Sequence, residues 1–340
     1  MNKRALRADI LLLLTAGIWG FGFVAQRSGM EYVGPFAFNG IRFILGSLSL
    51  LPILFIQGWG RGKNGGPVTP APTPGRFFRY SLAAGGCLFI AVTLQQAGIM
   101  FTTAGNAGFI TGLYVALTPI FGIFLGRKTG KATWIGAVFT LTGLYFLSAA
   151  GHLDRINPGD LITAVSAIFW AFHVLLIDAL VRKIDPLALS AGQFGVCGIF
   201  ALAAAFFLEP SIHTLADLLD PGLVETGLFG WRAFPALLAD IAGGNTGGIR
   251  SPDNLIPLLY GGFASVGIAY TLQVVAQRDA PPAHATIILC LEGCFAALGG
   301  VLLLAEPVGR WTLLGFVLML CGMLITQWEV IAGGFTKKSA

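Results

Sequence analysis

Apolar residues fall in blocks of about 20 along the chain, separated by short stretches of glycine, proline and basic residues. At 1.5 Å of rise per residue, a helix of that length crosses a hydrocarbon layer about 30 Å thick. The pattern predicts an all-α polytopic membrane protein with ten spans: 9–27, 35–57, 78–100, 104–125, 132–150, 160–181, 187–208, 255–277, 283–304 and 311–330. Lys3, Arg4 and Arg7 precede the first block as in a signal peptide. No small-residue cleavage site follows, so that block reads as a true span. Connector 58–77 is rich in glycine and proline and basic, as a flexible linker is. Connector 209–254 is acidic; its stretch 228–241 fits either a short interfacial helix broken at Pro235 or an irregular surface insertion. Trp59, Trp134, Trp311 and Trp328 lie at span ends, where an aromatic belt belongs.

Trp19 and Trp170 lie inside spans, and they reveal a repeat. An offset of 151 superposes Trp19 on Trp170, Phe21 on Phe172, Pro35 on Pro186 and Phe43 on Phe194. An offset of 178 superposes Ala91, Thr93, Leu94 and Gln95 on Ala269, Thr271, Leu272 and Gln273. At 179, Gly136 and Gly143 meet Gly315 and Gly322. The step between offsets falls where the acidic connector is inserted. Residues 1–151 and 152–332 are therefore expected to be two five-span repeats, followed by a tail at 333–340. An odd number of spans makes the second repeat enter the membrane from the opposite side, the architecture that underlies alternating access.

Composition removes other classes. Hydrophobic residues make up 55% and charged residues 11%, against about 25% charged in a soluble domain. So few charges cannot cover a water-facing surface, and so many apolar groups exclude a disordered chain. A net charge of +5 does not point to nucleic acid, because the basic residues sit in connectors. Lys and Arg in segments on the side of the termini outnumber those opposite by fifteen to five, with Arg42 inside a span. That asymmetry predicts cytoplasmic termini in a cell inner membrane. All five cysteines lie within apolar blocks, which argues against a disulfide framework.

The run Thr102-Thr103-Ala104-Gly105-Asn106-Ala107-Gly108-Phe109-Ile110-Thr111-Gly112-Leu113-Tyr114 resembles the fourth span of EamA-type members of the drug/metabolite transporter superfamily. The run from Leu291 to Leu298, continued by Leu304-Ala305-Glu306-Pro307, is similar to that family's ninth-span pattern. The resemblance covers about 10–150 and 158–329 outside the insertion. It implies a ten-helix inner-membrane carrier that exports amino acids, other small metabolites or drugs. Gly293 replaces the family proline, Arg127 stands where glutamate is common, and the insertion is unusually long.

Polar groups within spans are costly and mark candidate sites. Glu292, about ten residues into the ninth span, is a candidate proton acceptor and donor near neutral pH, or else a neutral acid making a structural hydrogen bond. Arg42, at a comparable depth in the second span, is a candidate ligand for a substrate carboxylate or a partner of Glu292; its plainer role is a structural cation. Asn39, Gln95, Gln96, Asn106, Tyr114, Trp170, His173, Gln273 and His284 form a second tier. Gln95 with Gln273, and Asn106 with His284, are repeat equivalents that would line mirrored half-paths, or serve as helix–helix hydrogen bonds. Asp178 reads as an ion pair with Arg182 at i+4. Gly108-x-x-x-Gly112 predicts a close helix approach, and Pro119 a kink in the fourth span.

No nucleophile motif, phosphate loop or metal-ligand cluster is present in the sequence, so no cofactor, metal or catalysis is expected. The expected partners are a small-molecule substrate and the bilayer, with protons the candidate coupling ion. A secondary carrier fits best. A passive facilitator should show polar residues repeating along several helices, and an intramembrane enzyme needs a second acid or a nucleophile beside Glu292.

Overall fold

The computed structural model describes residues 3–30, 33–64, 73–101, 104–148, 158–219, 252–304 and 309–336. The elements are α1 (Lys3–Gly29), α2 (Pro35–Asn64), α3 (Pro74–Phe101), α4 (Ala104–Thr111), α5 (Tyr114–Phe124), α6 (Lys131–Ser148), α7 (Pro158–Leu180) and α8 (Pro186–Leu219). They continue with α9 (Pro252–Leu259), a π-helix (Tyr260–Tyr270), α10 (Thr271–Ala276), α11 (Pro282–Leu289), α12 (Glu292–Leu304) and α13 (Arg310–Thr336). Seven of the described helical stretches are long and apolar enough to cross a membrane, and Tyr114–Phe124 and Leu313–Thr326 are shorter apolar helices.

Large apolar side chains such as Phe55, Phe124 and Phe207 are largely exposed, while Arg42, Gln96, His173 and Gln193 are buried. In water that distribution would expose an aggregating surface. In lipid it is the stable one, since the surrounding tails are as apolar as the side chains facing them. The chain is a polytopic helical membrane protein.

The most extensive packing joins α6 to α13, α2 to α8 and α3 to α7. A Cβ on Gly136 would lie 2.7 Å from the Gly322 carbonyl oxygen, and one on Gly322 would lie 2.7 Å from that of Gly136. Gly143 meets the Gly315 carbonyl at the same 2.7 Å. The two glycine pairs thus cross over between α6 and α13, and their backbones touch because no side chain intervenes.

Several expectations change. The fourth span is interrupted at Gly112–Leu113 between α4 and α5, while Pro119 lies inside α5. The ninth is interrupted at Cys290–Leu291 between α11 and α12. Three bonds recur at the two breaks in equivalent positions. Gly112 N–H donates to Gly108 O, Leu113 to Ile110 and Val115 to Gly112. In the later copy Cys290 donates to Thr286, Leu291 to Ile288 and Gly293 to Cys290. Two bonds of each set are i→i−3, which tightens the helix at the break. Gly293 here supplies an N–H that proline would lack. A Cβ on Gly108 would meet nothing within 4 Å among the described residues, whereas at Gly112 Cys290 Sγ comes within 3.4 Å of the carbonyl, so the close approach lies at the second glycine.

The eighth span is not uniformly α-helical: Tyr260–Tyr270 is π-helical. α1 braces it. The Trp19 indole donates to Ser265 O, Thr15 Oγ1 to Ala269 O, and Tyr260 Oη to Ile18 O at 2.7 Å. α8 continues past the expected span end to Leu219. Glu209, expected as part of the acidic connector, is buried and accepts the Ala37 N–H at 2.7 Å. It satisfies one of the orphan donors in the first turn of α2. Residues 220–251 of that connector, including 228–241, lie outside the described residues, as do 65–72 of the other long connector.

Candidate functional site

A central cavity forms where seven of the expected spans converge. It is lined by Trp19, Phe23 and Gln26 of α1, Arg42 of α2, Gln95 of α3, Thr111 of α4 and Tyr114 of α5. The other half supplies Trp170 and Val174 of α7, Ser265 and Tyr270 of the π-helix, Gln273 of α10, Leu289 of α11 and Glu292 of α12. The room it leaves is narrow, about 30 Å³, which is above the minimum needed to hold a water molecule.

Five lining pairs are separated by the repeat offsets: Trp19/Trp170, Phe23/Val174, Gln95/Gln273, Thr111/Leu289 and Tyr114/Glu292. Equivalent residues also touch. The Trp19 and Trp170 ring centroids are 6.3 Å apart, those of Phe43 and Phe194 6.1 Å. Cys290 Sγ lies 3.4 Å from the Gly112 carbonyl across a separation of 178, so the two helix breaks abut. Tyr270 has no aromatic counterpart. Its ring lies 4.4 Å from Trp19, 6.0 Å from Trp170, 5.7 Å from Phe43 and 5.9 Å from Phe194, at the hub of the aromatic cluster.

The chemistry departs from this symmetry. Tyr114 and Glu292 occupy matching first positions of α5 and α12, so the carboxyl sits beside a break in the ninth span. Gln95 Nε2 donates to Thr111 Oγ1 at 3.1 Å. Leu289 stands where Gln273 would need the matching hydroxyl, and both amide atoms of Gln273 are buried without a partner among the described residues. Trp19 donates to a backbone carbonyl, whereas Trp170 Nε1 has no such partner. Arg42 Nε is likewise buried and unpartnered among the described residues. Each unsatisfied buried group costs about 1–3 kcal/mol, so a ligand that satisfied them would gain that much per contact.

Arg42 is 2% exposed, with its guanidinium carbon 5.5 Å from the Phe38 ring centroid and 5.2 Å from that of Phe43. The two rings give the cation apolar but electron-rich walls. Arg42 and Glu292 share the cavity, and no ion pair joins them among the described residues.

Of the residues expected from sequence, Glu292, Arg42, Gln95, Tyr114, Trp170 and Gln273 line this cavity. Asn39 does not; its Nδ2 donates to Val92 O at 3.2 Å, joining α2 to α3. His173 is buried behind Trp170, its Nε2 3.0 Å from Gln193 Oε1. Gln96 is also buried away from the cavity. His284 lines a separate cavity of about 440 Å³ with Arg127 and Lys128, and its Nε2 is 2.8 Å from Asp9 Oδ1. The Asn106 side chain lies outside the described residues. Sequence reasoning missed Tyr270, Thr111, Ser265 and Gln26, uncharged residues that look like ordinary span contents. Asp178 is 3.7 Å from Arg182 as expected, but its closer partner is Arg127.

The fold agrees with what comparison shows. The family model described as EamA-like transporter family matches twice, over residues 6–149 and 157–328. A protein named uncharacterized transporter from Archaeoglobus fulgidus is 29% identical over 328 residues, covering 96% of this chain and 88% of the relative. The uncharacterized inner membrane transporter YedA of Escherichia coli K12 is 26% identical over 59% of this chain and 62% of its own. A solved crystal structure superposes over 94% of this chain and 95% of its own with a TM-score of 0.67, at 17% identity, a likeness of fold. With both halves matched by one model and the conserved-offset pairs meeting at one cavity, the chain belongs to the EamA-like transporter family.

Proposed function

We propose that this chain is a secondary carrier of ten spans in two inverted five-helix repeats, moving a small metabolite by alternating access. The observation that carries the reading is the contact between repeat equivalents in and around the central cavity: Trp19 with Trp170, Phe43 with Phe194, and the break at Gly112 with the break at Cys290. Elements related by a two-fold axis touch their own equivalents only on that axis. A pseudo-two-fold axis in the membrane plane gives one packing open to each side, with the site between them.

A narrow central cavity lined by both halves supports a carrier over a wide standing pore. Two ion pairs close the end that bears most of the basic residues. Asp9 pairs with His284, and Arg127 with Asp178; each joins the first repeat to the second. On the basic-residue asymmetry this end is cytoplasmic, as are both termini.

In this reading Arg42 receives an anionic group of the substrate, Gln273 and Trp170 supply further hydrogen bonds, and the aromatic cluster covers the rest. Glu292 is the group that exchanges protons with the transport cycle. Export follows the direction implied by the family resemblance.

Loaded proteoliposomes provide the test. Saturable efflux that varies with pH supports the carrier. Flux that rises linearly with concentration and ignores pH would replace it with a passive facilitator.

A further inference from the structure

A second cavity, of about 570 Å³, opens near the start of α1, away from the central site. Arg4 and Arg7 of α1, Arg182 after α7 and Arg278 after α10 line it, with Asp279 the one carboxylate among the lining residues. Three separate segments therefore bring four guanidinium groups to one pocket. Asp178 lies 3.7 Å from Arg182, whose side chain is 68% exposed; it is held by Arg127 on its other side. Asp9, next along α1, is engaged by His284. Among the described residues that line the pocket, Arg7, Arg182 and Arg278 alone outnumber the single carboxylate of Asp279.

The floor has the opposite character. Ala8, Leu11, Val275 and Ala276 form it. Beside it, Ile10 and Leu14 of α1 are 50% and 53% exposed on a face that meets lipid. Ile10 is three residues beyond Arg7 and Leu14 three beyond Leu11, so both are surface neighbours of the lining residues. A cationic pocket at the helix ends that passes directly into an apolar external face is matched by a ligand with a phosphate head and hydrocarbon tails.

We infer that this pocket binds the phosphate of an anionic phospholipid headgroup from the leaflet at the basic end, with the acyl chains lying along Ile10 and Leu14. Arginine forks hold phosphate oxygens in pairs, and basic pockets between spans hold such headgroups. A soluble phosphorylated molecule shares the headgroup's chemistry and lacks the tails. The inference does not depend on the identity of the transported substrate.

The full chain in nanodiscs of phosphatidylcholine with a minor share of phosphatidylglycerol tests it, with retained lipid read by native mass spectrometry. Wild type should retain phosphatidylglycerol several-fold above its share, and Arg7→Gln/Arg278→Gln should lose most of that excess while melting like wild type in phosphatidylcholine alone. Asp279→Asn, which makes the pocket more positive, should raise retention and keeps the test open should the double variant fail to assemble. Equal retention in wild type and double variant, or no change in Asp279→Asn, overturns the proposal. Millimolar inorganic phosphate should leave the retained lipid in place; stripping it as completely as the double substitution does would overturn the lipid as the occupant in favour of a soluble anion.

Discussion

At the scale of single residues, the cavity is a symmetric frame carrying asymmetric chemistry. Glu292 stands opposite Tyr114, and Gln273 opposite a Gln95 that has already found a hydroxyl. Glu292→Gln keeps size and hydrogen-bonding capacity but removes titration. Transport should stop or become insensitive to pH, measured as efflux across a pH series, with expression and melting unchanged. Wild-type pH response in that variant would remove Glu292 from the coupling role. Truncating one member of a buried charge contact costs about 2–5 kcal/mol, so Arg42→Gln should weaken apparent affinity for an anionic substrate at least tenfold. The two glutamines separate structure from binding. Gln95→Leu strands the Thr111 hydroxyl and should lower stability by about 1 kcal/mol. Gln273→Leu removes an amide that has no protein partner; melting should hold or rise while substrate affinity falls. Equal effects of the two on melting would contradict the assignment.

At the scale of elements, the irregular helices carry the site. Both broken spans and the π-helix place a lining residue beside their irregularity: Thr111 and Tyr114 flank one break, Leu289 and Glu292 the other, and Tyr270 ends the π-helix. Glycine pairing between α6 and α13 is the contrasting rigid contact. A Cβ on Gly136 would come within 2.1 Å of Thr326 Oγ1 as well as touching the Gly322 carbonyl. Backbone cannot yield as a side-chain tip can, so Gly136→Ala should destabilise by about 1–3 kcal/mol, the usual range for overpacking. Gly108→Ala meets no atom within 4 Å and gains helix propensity of about 1 kcal/mol, so its melting temperature should hold or rise. Thermal melting of the two variants in detergent compares them directly.

At the scale of the whole molecule, the described structure brings together residues that the span order assigns to one side: Asp9 with His284, Arg127 with Asp178, and the four arginines of the basic pocket. Which side faces the cytoplasm is a prediction from charge. Single cysteines at Asn64 and Asn245, compared with the parent protein, should differ in intact cells, with an impermeant maleimide labelling Asn245 and sparing Asn64. Labelling of Asn64 alone would invert the orientation.

The sequence by itself determined the membrane-spanning class, the family motifs, the repeat offsets and most of the polar cavity lining. Those are properties of composition and spacing, and a charged or amide side chain within an apolar run is visible without coordinates. Tertiary structure decided where helices break and which polar groups stay free. Cys290 has no glycine to announce its break, yet it repeats the bonds of Gly112, because the two breaks pack against each other. Tyr270 looks like any span aromatic until a π-helix braced by α1 brings its ring to the centre of four others. His173 and Asn39 looked like candidate ligands, but neither lines the central cavity, and His173 Nε2 and Asn39 Nδ2 are engaged by Gln193 and the Val92 carbonyl. A polar residue's partner is set by which helix faces it, and that depends on packing across distant parts of the chain.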